Sequence, residues 1–387
     1  MMDRDMRENY SNSEVSETPF RGRGVRIIIA GGGTGGHIFP AIAIANALKK
    51  LDSEIEILFI GAKGRMEMEK VPQAGYKIEG LDIAGFNRSS LIKNIGLPFK
   101  LLKSLAKVNS ILRRIKPDAV IGVGGYSSFP VLRAAQAKGI PSFILEANSF
   151  AGKANIMLGK KARIIFTGTE GMEKFFPPDR IMVTGNPVRE AISQSRLTRS
   201  EGITFFSLDE TKTTLLVLGG SLGAKTINEA INSGLDKLIQ AGLQIIWQTG
   251  KTYVAEAKQR AEGKKAVWVN DFITQMDYAY AAADIVVARA GAMTVAELSV
   301  VKKPVLFIPF PFATEDHQTV NAKQLVNKNA ALMVSDSAAM KEAVPMLIEL
   351  AGDKIRQAEM RNNIARLAII NADMKIAEEV LRNINRR

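Results

Sequence analysis

Cysteine is absent from the 387-residue chain, which excludes disulfide frameworks, zinc–thiolate sites, iron–sulfur clusters and thiol catalysis. Aromatic residues make up only 6%, and no interleaving of aromatic with basic residues stands out, so a nucleic-acid surface is poorly favoured. No apolar run approaches the ~18 residues needed to span a bilayer. The first 23 residues, MMDRDMRENYSNSEVSETPFRGR, carry charges and serines where a signal peptide has an apolar core. They read as a solvated tail, and the expectation is a cytoplasmic protein. The only Asp-x-Asp, Asp3-Arg4-Asp5, falls in that tail, which leaves no candidate metal site, and nothing resembles a serine triad.

What is present is an ordinary globular balance, with 46% hydrophobic and 24% charged residues. The length exceeds the roughly 250 to 300 residues at which a single core stops growing, so two domains are expected. The net charge of +13 is unevenly spread: residues 24–188 hold 23 basic and 12 acidic side chains, residues 189–387 hold 25 and 22. An anionic partner is therefore expected for the first half, whether nucleic acid, membrane surface or phosphorylated substrate.

Short Ile/Val-rich runs begin at Val25 and alternate with helix-length segments: residues 25–30, 55–61, 118–124, 141–147 and 163–168. The rhythm restarts at Thr213 and continues through residues 243–250, 266–272, 284–290 and 303–310. Such runs read as buried parallel strands of two doubly wound, Rossmann-like α/β domains facing a cleft. The boundary is placed at Gly185-Asn186-Pro187-Val188-Arg189. This gives a tail (1–23), an N-terminal domain (24–188) and a C-terminal domain (189–372), with a helical segment 373–387 packing back on the first.

Three glycine loops follow strands: Gly31-Gly32-Gly33-Thr34-Gly35-Gly36-His37, Gly122-Val123-Gly124-Gly125-Tyr126, and Gly219-Gly220-Ser221-Leu222-Gly223-Ala224. Glycines let backbone N–H groups approach an anion at a helix start, where the helix dipole adds to the attraction. The first loop also satisfies GxGxxG, with Asp52 or Glu54 about where a dinucleotide enzyme keeps its ribose-binding acid. An oxidoreductase therefore stays open on that loop alone, as does a tight turn with no ligand. Three loops over two domains suit two phosphorylated ligands better than one cofactor. The chain has two histidines, His37 and His317; His37 closes the first loop, a place suited to proton abstraction. Glu297, about one helical turn beyond Gly291, is either a ribose-gripping carboxylate or a solvated helix residue.

Taken together, these loops, Gly185-Asn186-Pro187-Val188-Arg189, Ala290-Gly291-Ala292 with Glu297, and His317-Gln318-Thr319-Val320-Asn321-Ala322 resemble the MurG family, the N-acetylglucosaminyltransferases that convert lipid I to lipid II in peptidoglycan synthesis. The resemblance covers about residues 25 to 385 with every motif in order. It implies a GT-B glycosyltransferase fold, no cofactor, and inverting transfer from UDP-N-acetylglucosamine to the 4-hydroxyl of the N-acetylmuramyl group. It makes His37 the leading base. Gly32, Gly33, Thr34, Gly35, Gly124, Gly125 and Tyr126 would hold the acceptor diphosphate. On the donor side it implies Thr34, Gly35, Gly36, Asn148, Arg189 and Ser221, with the Ile273 backbone on uracil, Glu297 on the ribose, and His317 and Gln318 on the sugar. The segment Leu145-Glu146-Ala147-Asn148 departs from the family's usual His-Glu-Gln-Asn. A UDP-sugar 2-epimerase of the same fold is the rival.

A lipid-linked acceptor also gives the basic first half a reading. No acid lies between Ile83 and Pro117. Ile95, Phe99 and Leu102 fall on one helical face among Lys100, Lys103 and Lys107, a pattern suited to an anionic bilayer surface, with Leu105 equally suited to packing on the sheet. The expected place is peripheral, on the cytoplasmic face of the inner membrane, with cell-wall synthesis proteins as partners and no nucleic acid.

Overall fold

The computed structural model describes residues 24–83, 97–220, 223–313 and 316–384, and of residues 97–100 the backbone alone. A first parallel sheet contains β1 (Arg26–Ala30), β2 (Glu56–Ala62), β3 (Lys77–Leu81), β4 (Ala119–Gly122), β5 (Ser142–Glu146), β6 (Ile164–Thr167) and β7 (Ile181–Val183). Their order is β3-β2-β1-β4-β5-β6-β7. A second contains β8 (Thr213–Leu218), β9 (Leu243–Gln248), β10 (Val267–Asn270), β11 (Ile285–Ala288), β12 (Val305–Phe307) and β13 (Leu332–Met333), ordered β10-β9-β8-β11-β12-β13. Strand order reverses between β1 and β4 and again between β8 and β11, and it is beyond the carboxyl ends of such strands that open α/β sheets form their crevices. The glycine loops occupy those ends.

Each central strand is apolar on both faces because helices cover both. Ile27 and Ile29 enter one core while Ile28 and Ala30 enter the other; in the second sheet Leu215 and Val217 part from Leu216 and Leu218 in the same way. Fully burying one such side chain is worth roughly 1.5–3 kcal/mol, so the continuous Ile/Val/Leu runs dictate strands covered on two sides. Three strands are not among the expected runs, one of them β7, only three residues long. β3 is Lys-Ile-Glu-Gly-Leu at the sheet edge, where polar residues are tolerated, and β13 is two residues long.

The chain crosses between the sheets twice. Val188 and Ile192 already belong to a core of the second sheet, with Leu216 and Phe307. Ile364 belongs to that core too, whereas Ile376, Ala377 and Val380 of the last helix (Ala372–Ile384) pack with Ile27 and Ile44 of the first sheet's layer. Ser149 ties the layers together near the cleft: its N–H donates to Asn321 Oδ1 (3.2 Å) and its hydroxyl to Gln324 Oε1 (3.0 Å).

In the basic helix Leu97–Ile115, Ser104, Val108, Ile111 and Leu112 are buried, and Leu105 packs against the same core. Leu102 is 64% exposed and Lys103 is exposed beside it. Lys107, expected in the surface patch, donates its ammonium to the Gly80 carbonyl at 2.8 Å, tying the helix to β3. Ile95 and the side chains of Phe99 and Lys100 lie outside the described residues, as do the tail 1–23 and residues 385–387.

Candidate active site

The first two glycine loops are packed into one another. The Gly32 amide donates to the Gly124 carbonyl (3.2 Å), and a Cβ on Gly125 would sit 2.2 Å from the Gly32 carbonyl oxygen. Gly33, Gly124 and Gly125 have φ of +90°, +96° and +85°, a region that L side chains rarely adopt. Several of the loop amides have partners within the protein. The Gly32 amide is satisfied by Gly124, the Gly33 amide by Glu67 Oε2 (2.8 Å), and the Gly124 amide by Ser128 Oγ (3.1 Å). Gly35 and Gly36 instead open the helix Gly35–Leu51, in the turn whose N–H groups have no partner within the helix.

His37 sits in the first turn of that helix. Its Nδ1 lies 3.1 Å from the Gly32 carbonyl and 3.4 Å from Thr34 Oγ1. A carbonyl can only accept, so Nδ1 carries the hydrogen and Nε2 keeps its lone pair in the neutral ring. Nε2 lies over the bare Cα of Gly124, 2.7 Å from where a Cβ would be. Burial pulls the pKa of His37 below its ordinary value near 6.5; Glu146, the Gly32 hydrogen bond and Glu67 partly oppose this, and His317 across the cleft adds to the lowering. His37 is therefore neutral, and competent as a base, at pH 7.

Glu146 is buried at the end of β5 and organises the next loop. It accepts from the Asn148 amide (3.1 Å) and side chain (3.3 Å), the Gly152 amide (3.1 Å) and Asn155 Nδ2 (2.8 Å). Asn148 is thus held beside the glycine loops. Tyr126 is half exposed at the rim.

The opposite wall comes from the second sheet. Arg189 lies between the Phe39 ring, 4.7 Å from its centroid, and Glu297, whose Oε1 accepts from Nη2 (3.2 Å) and Nε (3.3 Å). Glu297 Oε2 accepts from the Tyr280 hydroxyl (2.9 Å). Glu297 is therefore no solvated helix residue: it is 8% exposed and fully engaged. Burial, then the Glu297 carboxylate, push the Tyr280 hydroxyl well above its usual pKa, keeping it a donor. The Ile273 amide donates to Gln248 Oε1 (3.0 Å), which leaves its carbonyl for a base. Gln318 Oε1 accepts from the Phe310 amide (3.0 Å), and His317 begins the helix His317–Val326. Ser221 lies outside the described residues; of its neighbours, Gly220 and Gly223 have φ of +73° and +81°.

The dinucleotide alternative fails on topology. Asp52 caps the far end of the helix Gly35–Leu51 and, with Glu54, precedes β2, at the opposite end of the sheet from the glycine loop. Sequence reasoning missed Glu67, Phe39, Gln248 and Tyr280, because each acts through a contact distant in sequence. A cavity of about 600 Å³ also lies between the layers, bounded by Ser149, Asn186, Val295 and Asn321 among others. His37, Arg189 and Glu297 are not among its lining residues. Among the described residues no group of three or more His, Asp or Glu could hold a metal ion.

Two doubly wound sheets with glycine turns, a neutral histidine on one wall and an arginine–carboxylate pair on the other fit a GT-B glycosyltransferase, and the family match makes the class plain. Residues 27–167 match the glycosyltransferase family 28 N-terminal domain and residues 214–380 the family 28 C-terminal domain. The chain is 48% identical over 367 residues to the UDP-N-acetylglucosamine–N-acetylmuramyl-(pentapeptide) pyrophosphoryl-undecaprenol N-acetylglucosamine transferase of Parabacteroides distasonis, covering 94% of this chain and 100% of that protein. It is 50% identical over 365 residues to the enzyme of the same name from Phocaeicola vulgatus (92% and 96% covered). Among solved structures, Acinetobacter baumannii MurG superimposes with a TM-score of 0.73 at 29% identity, covering 92% and 99% of the two chains. A UDP-GlcNAc 2-epimerase from Neisseria meningitidis, 18% identical with a TM-score of 0.64 over 93% of this chain and 100% of that one, shares the fold. The chain belongs to glycosyltransferase family 28, and within it to the MurG N-acetylglucosaminyltransferases.

Proposed function

We propose that this protein moves N-acetylglucosamine from UDP-N-acetylglucosamine to the 4-hydroxyl of the N-acetylmuramyl group of the undecaprenyl-pyrophosphoryl acceptor, turning lipid I into lipid II. The observation that carries this reading is His37, neutral and with its Nε2 lone pair free, on the wall facing Arg189 and Glu297. In one displacement the acceptor oxygen forms a bond to the anomeric carbon from the face opposite UDP. The bond to the UDP oxygen breaks with its electron pair, and the hydroxyl proton passes to His37 Nε2. The configuration inverts, and no protein nucleophile is used. Charge growing on UDP is met by Arg189 and by the turn at Gly219–Gly223, in a site arranged before the reaction.

The roles follow the placement of the residues. The first-turn amides of Gly35 and Gly36, without a partner among the described residues, form the acceptor diphosphate site with Thr34, Gly125 and Tyr126, where the helix dipole adds to the attraction. Glu297 exchanges its bond to Arg189 for the ribose hydroxyls, which releases the guanidinium to the donor diphosphate. The Ile273 carbonyl takes the uracil N–H, while Asn148, His317 and Gln318 meet the sugar. In this reading residues 24–188, with the last helix, form the acceptor domain and residues 189–372 the donor domain.

The test is transfer of labelled N-acetylglucosamine to a short-chain lipid I analogue, with and without EDTA. Transfer that persists in chelator is expected, whereas UDP release without an acceptor would indicate epimerase chemistry.

The same reading puts the enzyme against an anionic inner-leaflet surface. Among the described residues no helix is long and apolar enough to cross a membrane, and Leu102 with Lys103 forms the exposed edge of the basic helix. A cation near such a surface is worth about 1 kcal/mol, so Lys103→Glu combined with Leu102→Ser should weaken binding to phosphatidylglycerol vesicles by roughly tenfold or more. Turnover of the soluble analogue should change little. Unaltered co-sedimentation with vesicles would remove this patch from the interface. Lys107 is left out of the variant because its loss would loosen β3.

A further inference from the structure

We infer that Glu67 is a positioning residue that acts on His37 through one peptide group: its carboxylate accepts the Gly33 N–H, and the carbonyl of that same Gly32–Gly33 peptide accepts the His37 Nδ1–H. The two contacts are 2.8 Å and 3.1 Å. The inference rests on the reading of His37 as base.

Glu67 also braces the end of β2. It is 1% exposed, and its second oxygen accepts the Ala62 N–H at 2.9 Å. The buried carboxylate thus accepts two backbone donors, one on each oxygen. The room it fills is made by missing side chains: a Cβ on Gly32 would fall 2.3 Å from its carboxyl carbon, and one on Gly61 2.5 Å from its Cγ. A buried negative charge directly under a turn that receives a diphosphate is electrostatically adverse. It makes sense where the charge has a task that a neutral acceptor would do less well.

That task follows from the order of the contacts. A charge hydrogen-bonded to a peptide N–H polarises the peptide and makes its carbonyl a stronger acceptor, by about 10–30% per bond. The Gly32 carbonyl thereby holds Nδ1–H more firmly, which selects the tautomer with a free Nε2 and stabilises the imidazolium formed as the acceptor loses its proton. The logic is that of the carboxylate behind the histidine in a catalytic triad, with a peptide interposed. Among the described residues, Glu67, Glu146 and His317 are the titratable groups that act on His37. Glu146 spends its oxygens on Asn148, Gly152 and Asn155 and acts by its field alone, while His317 opposes protonation; Glu67 has the bonded route.

The test uses the full-length enzyme and imidazole ¹⁵N NMR, which two histidines make tractable; His317→Gln identifies the remaining ring. In the wild type, His37 should carry its hydrogen on Nδ1 at neutral pH. Glu67→Gln can keep an acceptor on Gly33 but loses the charge. It should lower the His37 pKa by about 0.5 to 1 unit and populate the Nε2–H form. It should also lower kcat by roughly 10- to 100-fold, with KM for UDP-N-acetylglucosamine within about twofold. The acid limb of the kcat profile should move to lower pH by the same shift. Glu67→Asp, too short to reach Gly33, should lose the tautomer preference while retaining more of the pKa. A Glu67→Gln enzyme that loses activity and thermal stability with the His37 pKa and tautomer unchanged would make Glu67 merely structural. A wild-type His37 found as the Nε2–H tautomer would overturn the inference without any variant. If His37 responds to Glu67→Gln as expected but His37→Ala still transfers sugar, the base assignment fails and the coupling stands.

Discussion

His37→Ala should lower kcat by about 10²- to 10⁴-fold, the range over which a positioned general base contributes, with little change in KM for UDP-N-acetylglucosamine. The split follows from geometry: His37 belongs to the first sheet's loop, whereas Arg189, Tyr280 and Glu297 of the opposite wall do not depend on it. The pH dependence carries the same assignment. The base works only when neutral, and burial sets its pKa below 6.5. Wild-type kcat should therefore hold steady as pH falls from 8 through 6.5 and decline only below the folded pKa of His37. Steady-state rates on the lipid I analogue between about pH 5 and 8 check both points. A His37→Ala enzyme that kept the acid limb would assign it to another group and free His37 from the role.

Glu297→Ala should weaken the donor side on two counts. It leaves Arg189 and the buried Tyr280 hydroxyl without their shared partner, and breaking a largely buried pair from one side costs about 3 kcal/mol. For a domain of this size 1 kcal/mol moves Tm by roughly 2–4 °C, so a fall of about 6–12 °C is expected. Loss of the ribose acceptor should also raise the Kd for UDP roughly 10- to 100-fold, the equivalent of one or two hydrogen bonds to a charged group. Calorimetry reads both numbers on one sample. Glu297→Gln, which can still accept from Tyr280, should recover most of the stability and little of the affinity. Recovery of both together would show that Glu297 serves the fold and never meets the nucleotide.

The Ile/Val runs at residues 25–30, 118–124 and 213–219 are legible in the chain because apolar surface on both faces of a strand has few ways to leave water. The edge strand β3, with Lys77 and Glu79 in five residues, is not, since its place comes from pairing with β2 and not from its own composition. Glycine turns likewise announce themselves, yet which of their amides stay free does not. Gly33 reads as an anion donor until Glu67, 34 residues away, takes its N–H. Glu67 itself stands in Met-Glu-Met-Glu-Lys, where nothing separates it from Glu69, though one is buried and the other exposed.

By itself, then, the amino-acid order determined two doubly wound sheets, the loops at their carboxyl ends, the presence of His37 and Glu297 beside them, and the kinship that gives the reaction. Those are consequences of local pattern, where burial and backbone freedom act over a few residues. Tertiary structure alone decided that Lys107 is tethered, that the Ile273 amide is spent on Gln248, that Arg189 meets Glu297 across 108 residues, and that Glu67 reaches His37 through a peptide. Hydrogen bonds and ion pairs act over about 3 Å in space, with no limit on distance along the chain.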